Sequence, residues 1–106
     1  MFRVFRSDWF NSKLDKLPKA DQERVHRFEK QLKKQAYLGK PLGYPFLREK
    51  KFNGRRAIFL VYAEQHVVYM VTISKKKTQK AEIEVIKQQF ALYEKEVKRM
   101  LRTRLL

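Results

Sequence analysis

The chain has 106 residues, a formal charge of +15 at pH 7 from 26 lysines and arginines against 11 aspartates and glutamates, and no cysteine. That length fits one compact domain over residues 1–106 and excludes two, while 43% hydrophobic and 13% aromatic residues supply a core and exclude charge-driven disorder. Without cysteine there is no disulfide framework, thiolate metal site or cysteine nucleophile, and a reducing, cytoplasmic compartment is the expectation.

The N-terminal MFRVFRSDWF lacks the apolar run of a signal peptide, and no window reaches the roughly 20 apolar residues of a membrane span, so neither export nor membrane insertion is expected. A charge this large calls for a polyanion, nucleic acid first, or an acidic protein, because self-repulsion is costly unless something neutralises it.

Alternation from Phe2 to Arg6 predicts a short strand. Ser7 and Asp8 then supply an N-cap and a first-turn carboxylate, and Phe10, Leu14 and Leu17 recur at the spacing of a short amphipathic helix. Pro18 ends that helix and opens a second, with Val25, Phe28, Leu32 and Ala36 on one stripe and Arg24, Arg27, Lys30, Lys33 and Lys34 around it. The two read as a helical hairpin. Residues 37–45, YLGKPLGYP, hold two of the three glycines and two of the three prolines, a loop composition.

Phe46 to Phe52 leads into Asn53-Gly54, a strong hairpin signal, and Arg55 to Tyr62 follows as a strand apolar on both faces. A turn over residues 63–66 returns the chain as VVYMVTIS, completing an antiparallel three-stranded meander. After KKKTQK, with Thr78 as N-cap and Glu82 and Glu84 near the positive end of the dipole, Ile83, Ile86, Phe90, Tyr93, Val97 and Met100 predict one long C-terminal helix. Its tail, MLRTRLL, is expected to fray. The fold class is α+β, in the order β, α, α, β, β, β, α, with the helices on one side of the sheet.

Cations cluster where the hairpin and the third strand converge: Arg48, Lys50, Lys51, Arg55 and Arg56, then Lys75, Lys76 and Lys77. With a two-residue Asn53-Gly54 loop, facing residue numbers sum to 107, so Lys51 faces Arg56 and Glu49 faces Ile58. Glu49, Lys51 and Arg56 then share one face while Arg48, Lys50 and Arg55 share the other; a three-residue loop would bring Arg48, Lys50 and Arg56 together instead. Arg56 opens the most apolar strand, where a charge needs a rim position or a partner, so it serves either as a guanidinium aimed at phosphate or in a salt bridge to Glu49. His26 and His66 read as exposed bystanders. Trp9 and Tyr93 read as core, although they and Phe52 have rings able to stack on bases. No spacing of His, Asp and Glu suits a metal, and no motif calls for a cofactor.

The segment LREKKFNGRRAIFLVY, followed by a hydrophobic third strand and SKKKTQ, resembles the RelE/ParE superfamily of toxins from prokaryotic toxin–antitoxin modules. The likeness spans nearly the whole chain, from the first strand through a helical hairpin ending in GKPL to the meander with a cation opening its central strand. It implies a RelE-like toxin that inhibits translation as a ribosome-dependent endoribonuclease on messenger RNA, working without metal or cofactor. The alternatives are a ParE-like inhibitor of gyrase and a non-catalytic RNA- or ribosome-binding domain on the same fold. By resemblance Arg56 contacts the scissile phosphate, Lys51 is the basic residue before the turn, Glu49 acts on the attacking 2′-hydroxyl and Lys76 assists the leaving group. Arg48, Lys50, Arg55, Lys75 and Lys77 would add nucleic-acid contacts. Relatives often carry arginine or histidine where lysines stand here, and the C-terminal tyrosine of some has no counterpart. The implied partners are an acidic cognate antitoxin and messenger RNA in the ribosome. The C-terminal seam, longer than a small sheet can cover, adds the expectation that from Tyr93 onward it meets a partner helix or a second copy of itself.

Overall fold

Of the two long apolar strands of this chain, β4 (Arg55–Tyr62) is buried from Ala57 to Val61 and β5 (Val67–Lys75) from Val67 to Ser74, so the sheet needs cover on both faces. The structure is a computed structural model that describes residues 1–105. Its single sheet has five strands in the order β1-β5-β4-β3-β2, adding β1 (Arg3–Arg6), β2 (Lys40–Tyr44) and β3 (Leu47–Phe52) to the central pair. β1 runs parallel to β5, from Arg3 beside Val67 to Arg6 beside Met70, and the remaining pairs are antiparallel. A bulge between Ile58 and Phe59 interrupts the β4–β5 register.

Helices α1 (Asp8–Leu14) and α2 (Lys19–Lys34) cover one face, where Phe10, Leu14, Val25, Phe28 and Leu32 meet Ala57, Phe59, Val61, Val68 and Met70. The other face carries α3 (Gln79–Gln88) and α4 (Phe90–Leu105), whose Ile86, Tyr93 and Val97 pack on Leu47, Ile58, Leu60, Tyr69 and Val71. The expectation of helices on one side is thus corrected, because strands apolar on both faces leave neither face to water. Ser7 caps α1 as expected: its Oγ accepts the Phe10 N–H at 2.9 Å and donates to the Val71 carbonyl at 2.6 Å, tying cap to sheet. No helix of the described residues is long and apolar enough to cross a membrane.

Further expectations change. Residues 37–45 are not all loop, since β2 pairs with β3 through Lys40–Glu49, Pro41–Arg48 and Tyr44–Leu47. At a sheet edge, largely exposed, such a strand needs no hydrophobic alternation and tolerates Pro41 and Gly43. The meander therefore gains a strand on each side. The C-terminal helix breaks at Gln89, and Phe90 just beyond the break packs edge-on against Tyr44 and Phe46, each ring 5.3 Å away. The distal seam is covered by its own sheet: Tyr93 is 8% exposed and Val97 1%, so the burial argument for an external helix there falls. The tail stays helical to Leu105, and Leu106 lies outside the described residues. Thr78 stands at the N-cap of α3 as expected, its carbonyl accepting the Glu82 N–H at 3.1 Å, but its hydroxyl makes no capping bond and donates to the Lys75 carbonyl at 3.4 Å.

Gly39 holds the entry to β2 at φ +79°, and a Cβ there would stand 2.2 Å from the Glu49 carbonyl oxygen. Gly39→Ala should cost about 2–4 kcal/mol in urea unfolding, from backbone strain plus a backbone clash. Gly43, at φ +88° with nothing within 4 Å of such a Cβ, isolates the strain alone, and Gly43→Ala should cost about 1–2 kcal/mol.

Candidate functional site

Asn53 and Gly54 both have positive φ, 45° and 75°, the backbone of a two-residue type I′ turn. The pairing that follows is Glu49–Ile58, Lys51–Arg56 and Phe52–Arg55. Glu49, Lys51 and Arg56 therefore share the face covered by α3, and Arg48, Lys50 and Arg55 share the face covered by α2. The three-residue alternative is excluded by this register.

On the α3 side, Glu49 is 3% exposed and its Oε2 lies 3.9 Å from Arg56 Nε. This separation is an ion pair but too long for a hydrogen bond, and Arg56 Nε is buried with no hydrogen-bond partner. The same oxygen of Glu49 accepts a hydrogen bond from Gln79 Nε2, in the first turn of α3. One turn further along, Glu82 accepts from Ser74 Oγ and pairs with Lys13 Nζ at 2.5 Å. Ser74 is the cross-strand neighbour of Arg56. The N-terminal turns of α3 are thus fastened to the strand ends through two carboxylates, Glu49 from the sheet and Glu82 from the helix.

Lys51 is exposed beyond Glu49, and Lys76 is exposed in the turn after β5. Lys76 lines a cleft of about 420 Å³ between β2 and α3, with Gln79, Lys80 and Lys87 around it and Leu42 and Ile83 as its apolar part. Gln79, the residue that holds Glu49, belongs to its wall. The four candidate catalytic residues therefore gather at one end of the sheet, with Glu49 and Arg56 in contact and the two lysines at the rim.

The proposed nucleic-acid contacts divide. Arg48 is committed to structure, donating to the carbonyls of Leu38 (2.9 Å), Pro45 (2.9 Å) and Gly39 (3.1 Å), with its guanidinium 5.7 Å from the Tyr37 ring centre. Lys50 lies over the Phe28 ring on the α2 side, and Arg55 pairs with Asp21 at 3.3 Å. Lys75 and Lys77 are exposed. Sequence reasoning missed Asp21, 1% exposed, which accepts from Arg24 at 2.8 Å and from Asn53 at 3.2 Å besides pairing with Arg55. It also missed Gln79, and it placed Glu82 only at the positive end of the helix dipole, without its partners Ser74 and Lys13 on other elements. His26 is exposed, 3.9 Å from Glu29, and His66 sits in the turn before β5. Glu29 itself is gripped by Arg6, whose Nε and Nη2 donate at 2.8 and 2.6 Å and whose ionisation this bond pushes up. At the far end of the α3–α4 layer, burial above all, helped by nearby Glu96, pushes the Tyr69 phenol up to about 12. Among the described residues no three His, Asp or Glu side chains come together as metal ligands.

No family model matches the sequence, and no curated protein matches it. Solved structures do. The chain is similar to a chain of the intact E. coli RelBE toxin–antitoxin complex, at 18% identity and a TM-score of 0.65, over 71% of this chain and 96% of that one. It is similar to the isolated E. coli RelE toxin, at 17% identity and a TM-score of 0.65, over 83% of this chain and 98% of the other. A third likeness is to the archaeal RelE–RelB complex from Pyrococcus horikoshii, at 20% identity and a TM-score of 0.62, over 71% of this chain and 94% of that one. At such identities the likeness is one of architecture, and the architecture of this chain is the RelE fold.

Proposed function

We propose that this protein is the toxin of a toxin–antitoxin pair and that it cleaves messenger RNA on the ribosome. The observation that carries the reading is the buried Glu49–Arg56 contact beside a lysine-lined cleft. A carboxylate and a guanidinium are held at the end of a rigid sheet, and Arg56 Nε lacks an acceptor. A buried donor without a partner costs about 1–3 kcal/mol, which an anion drawn against Arg56 would recover.

The chemistry is transesterification within the RNA. The 2′-oxygen attacks the adjacent phosphorus as its proton passes to Glu49, and the bond to the 5′-oxygen breaks. The products are a 2′,3′-cyclic phosphate and a 5′-hydroxyl. Arg56 and Lys51 stabilise the charge gathering on the phosphoryl oxygens, and Lys76 assists the departing 5′-oxygen. With a lysine rather than a histidine beside the leaving oxygen, positioning and electrostatics carry much of the rate. The neutralising partner is an acidic antitoxin, since opposite fields speed encounter and remove self-repulsion from a +15 surface. The cytoplasm is the compartment where both partners meet it.

Incubation with translating ribosomes should yield shortened messages ending in a cyclic phosphate; intact messages together with inhibited gyrase would give the chain the other toxin activity. Glu49→Gln should lower cleavage about a hundredfold and Lys51→Ala about tenfold. Lys50→Ala, on the α2 face, should stay within about twofold of the parent, reading the register as activity.

A further inference from the structure

A second cleft, of about 370 Å³, opens on the α1 side of the same sheet end. Lys13, Lys16, Arg55 and Lys75 line it, Leu17 and Ile73 form an apolar floor, and Ser74 and Thr78 add hydroxyl-bearing side chains. Two carboxylates answer these four cations: Glu82 pairs with Lys13 and Asp21 with Arg55. Asp21 is shared with Arg24 as well. Lys16 and Lys75 are exposed, and neither forms an ion pair among the described residues. The cleft therefore carries uncompensated positive charge over an apolar floor. Like charges held together in this way attract an anion, and the floor suits one that brings a base or a sugar with it.

Its position is as informative as its charge. Arg55 faces Lys75 across the strands and Arg56 faces Ser74, so this cleft and the Glu49–Arg56 contact lie back to back on consecutive cross-strand pairs. We infer that the cleft is a nucleotide-phosphate site, gripping a phosphate of the strand that flanks the one served by Arg56. The inference rests on the RNA reading above and adds to it a second phosphate contact built where the end of α1 and the turn after it meet the strand ends. A strand's diester and a free nucleotide share this chemistry, and the choice of probe separates them.

The test measures binding without cleavage, using a short labelled RNA in which every 2′-oxygen is methylated and cannot attack. Pyrophosphate and ADP serve as competitors. Lys16→Ala/Lys75→Ala should weaken strand binding about tenfold and lower the salt slope by about 1.4, as expected for two lost phosphate contacts on a single strand. Lys19→Ala/Lys95→Ala removes the same charge from exposed positions outside the cleft and should cost less than about threefold. Equal losses in the two doubles, or a parent protein that binds none of the three probes, overturn the inference. If ADP binds more tightly than the strand and depends on Lys16 and Lys75, the phosphate comes from a free nucleotide. A methylated strand that needs both lysines, together with native RNA that stays uncut, keeps the site and discards the ribonuclease. Cleavage by a parent whose strand binding ignores both lysines does the reverse.

Discussion

Arg56→Ala is expected to abolish the growth arrest caused by the induced protein and to reduce message cleavage by about 10²–10³-fold. This is the scale seen when one preorganised donor to a developing oxyanion is removed. The fold should persist, because Glu49 keeps its bond from Gln79 and the lost side chain leaves behind no hydrogen bond of its own at Nε. Arg56→Lys keeps the charge but loses the planar fork, and should recover only part of the rate. Cleavage of ribosome-bound messages, with circular dichroism to verify folding, is the measurement. An Arg56→Ala protein as toxic as its parent would defeat the ribonuclease reading, as would inhibition of isolated gyrase by the parent.

A large effect on stability is expected at Asp21, on the opposite face of the sheet from Arg56. Its carboxylate, 1% exposed, holds Arg24 and Arg55 and accepts from Asn53 in the turn, pinning the tip of the β3–β4 hairpin to the first turn of α2. Asp21→Ala removes the shared partner of two guanidiniums and one amide, and should cost about 2–4 kcal/mol. The lower part of that range allows for solvent around Arg24 and Arg55, whose side chains are 48% and 26% exposed. Asp21→Asn, which keeps an acceptor without the charge, should cost about half as much. Urea unfolding gives both values. A loss below about 1 kcal/mol for Asp21→Ala would mean that the tip is held by the turn and the sheet ladder alone. Because that tip carries Lys51 and Arg56, the Asp21→Ala protein should also cleave more slowly while it remains folded.

Much of this molecule is written locally. The Ser7 cap, the stripes of the first two helices and the Asn53-Gly54 turn each depend on residues a few positions apart. The pairing of Lys51 with Arg56 follows once that loop has two residues with positive φ at both, a choice that the sequence left open against a three-residue loop and the backbone decided. So the face shared by Glu49, Lys51 and Arg56 was one of two faces the sequence offered, and the backbone of the turn chose between them. The edge strand β2 was not, since a strand exposed on both sides has no alternation to read. Nor was the break at Gln89, where the apolar spacing continues unbroken through the bend. Gln79 meets Glu49 across 30 residues and Arg55 meets Asp21 across 34. Periodicity and turn chemistry decide which face a side chain takes, whereas the group it meets there is decided when helices close over both sides of the sheet. The sequence by itself determined the first two helices, the three meander strands and the cationic end of the sheet, and left the hairpin register open between two loop lengths. The tertiary structure alone decided which register the hairpin takes, that Gln79 of α3 holds Glu49, that Arg48 and Arg55 serve the fold, and that Lys13 and Lys16 join Lys75 in a second cleft.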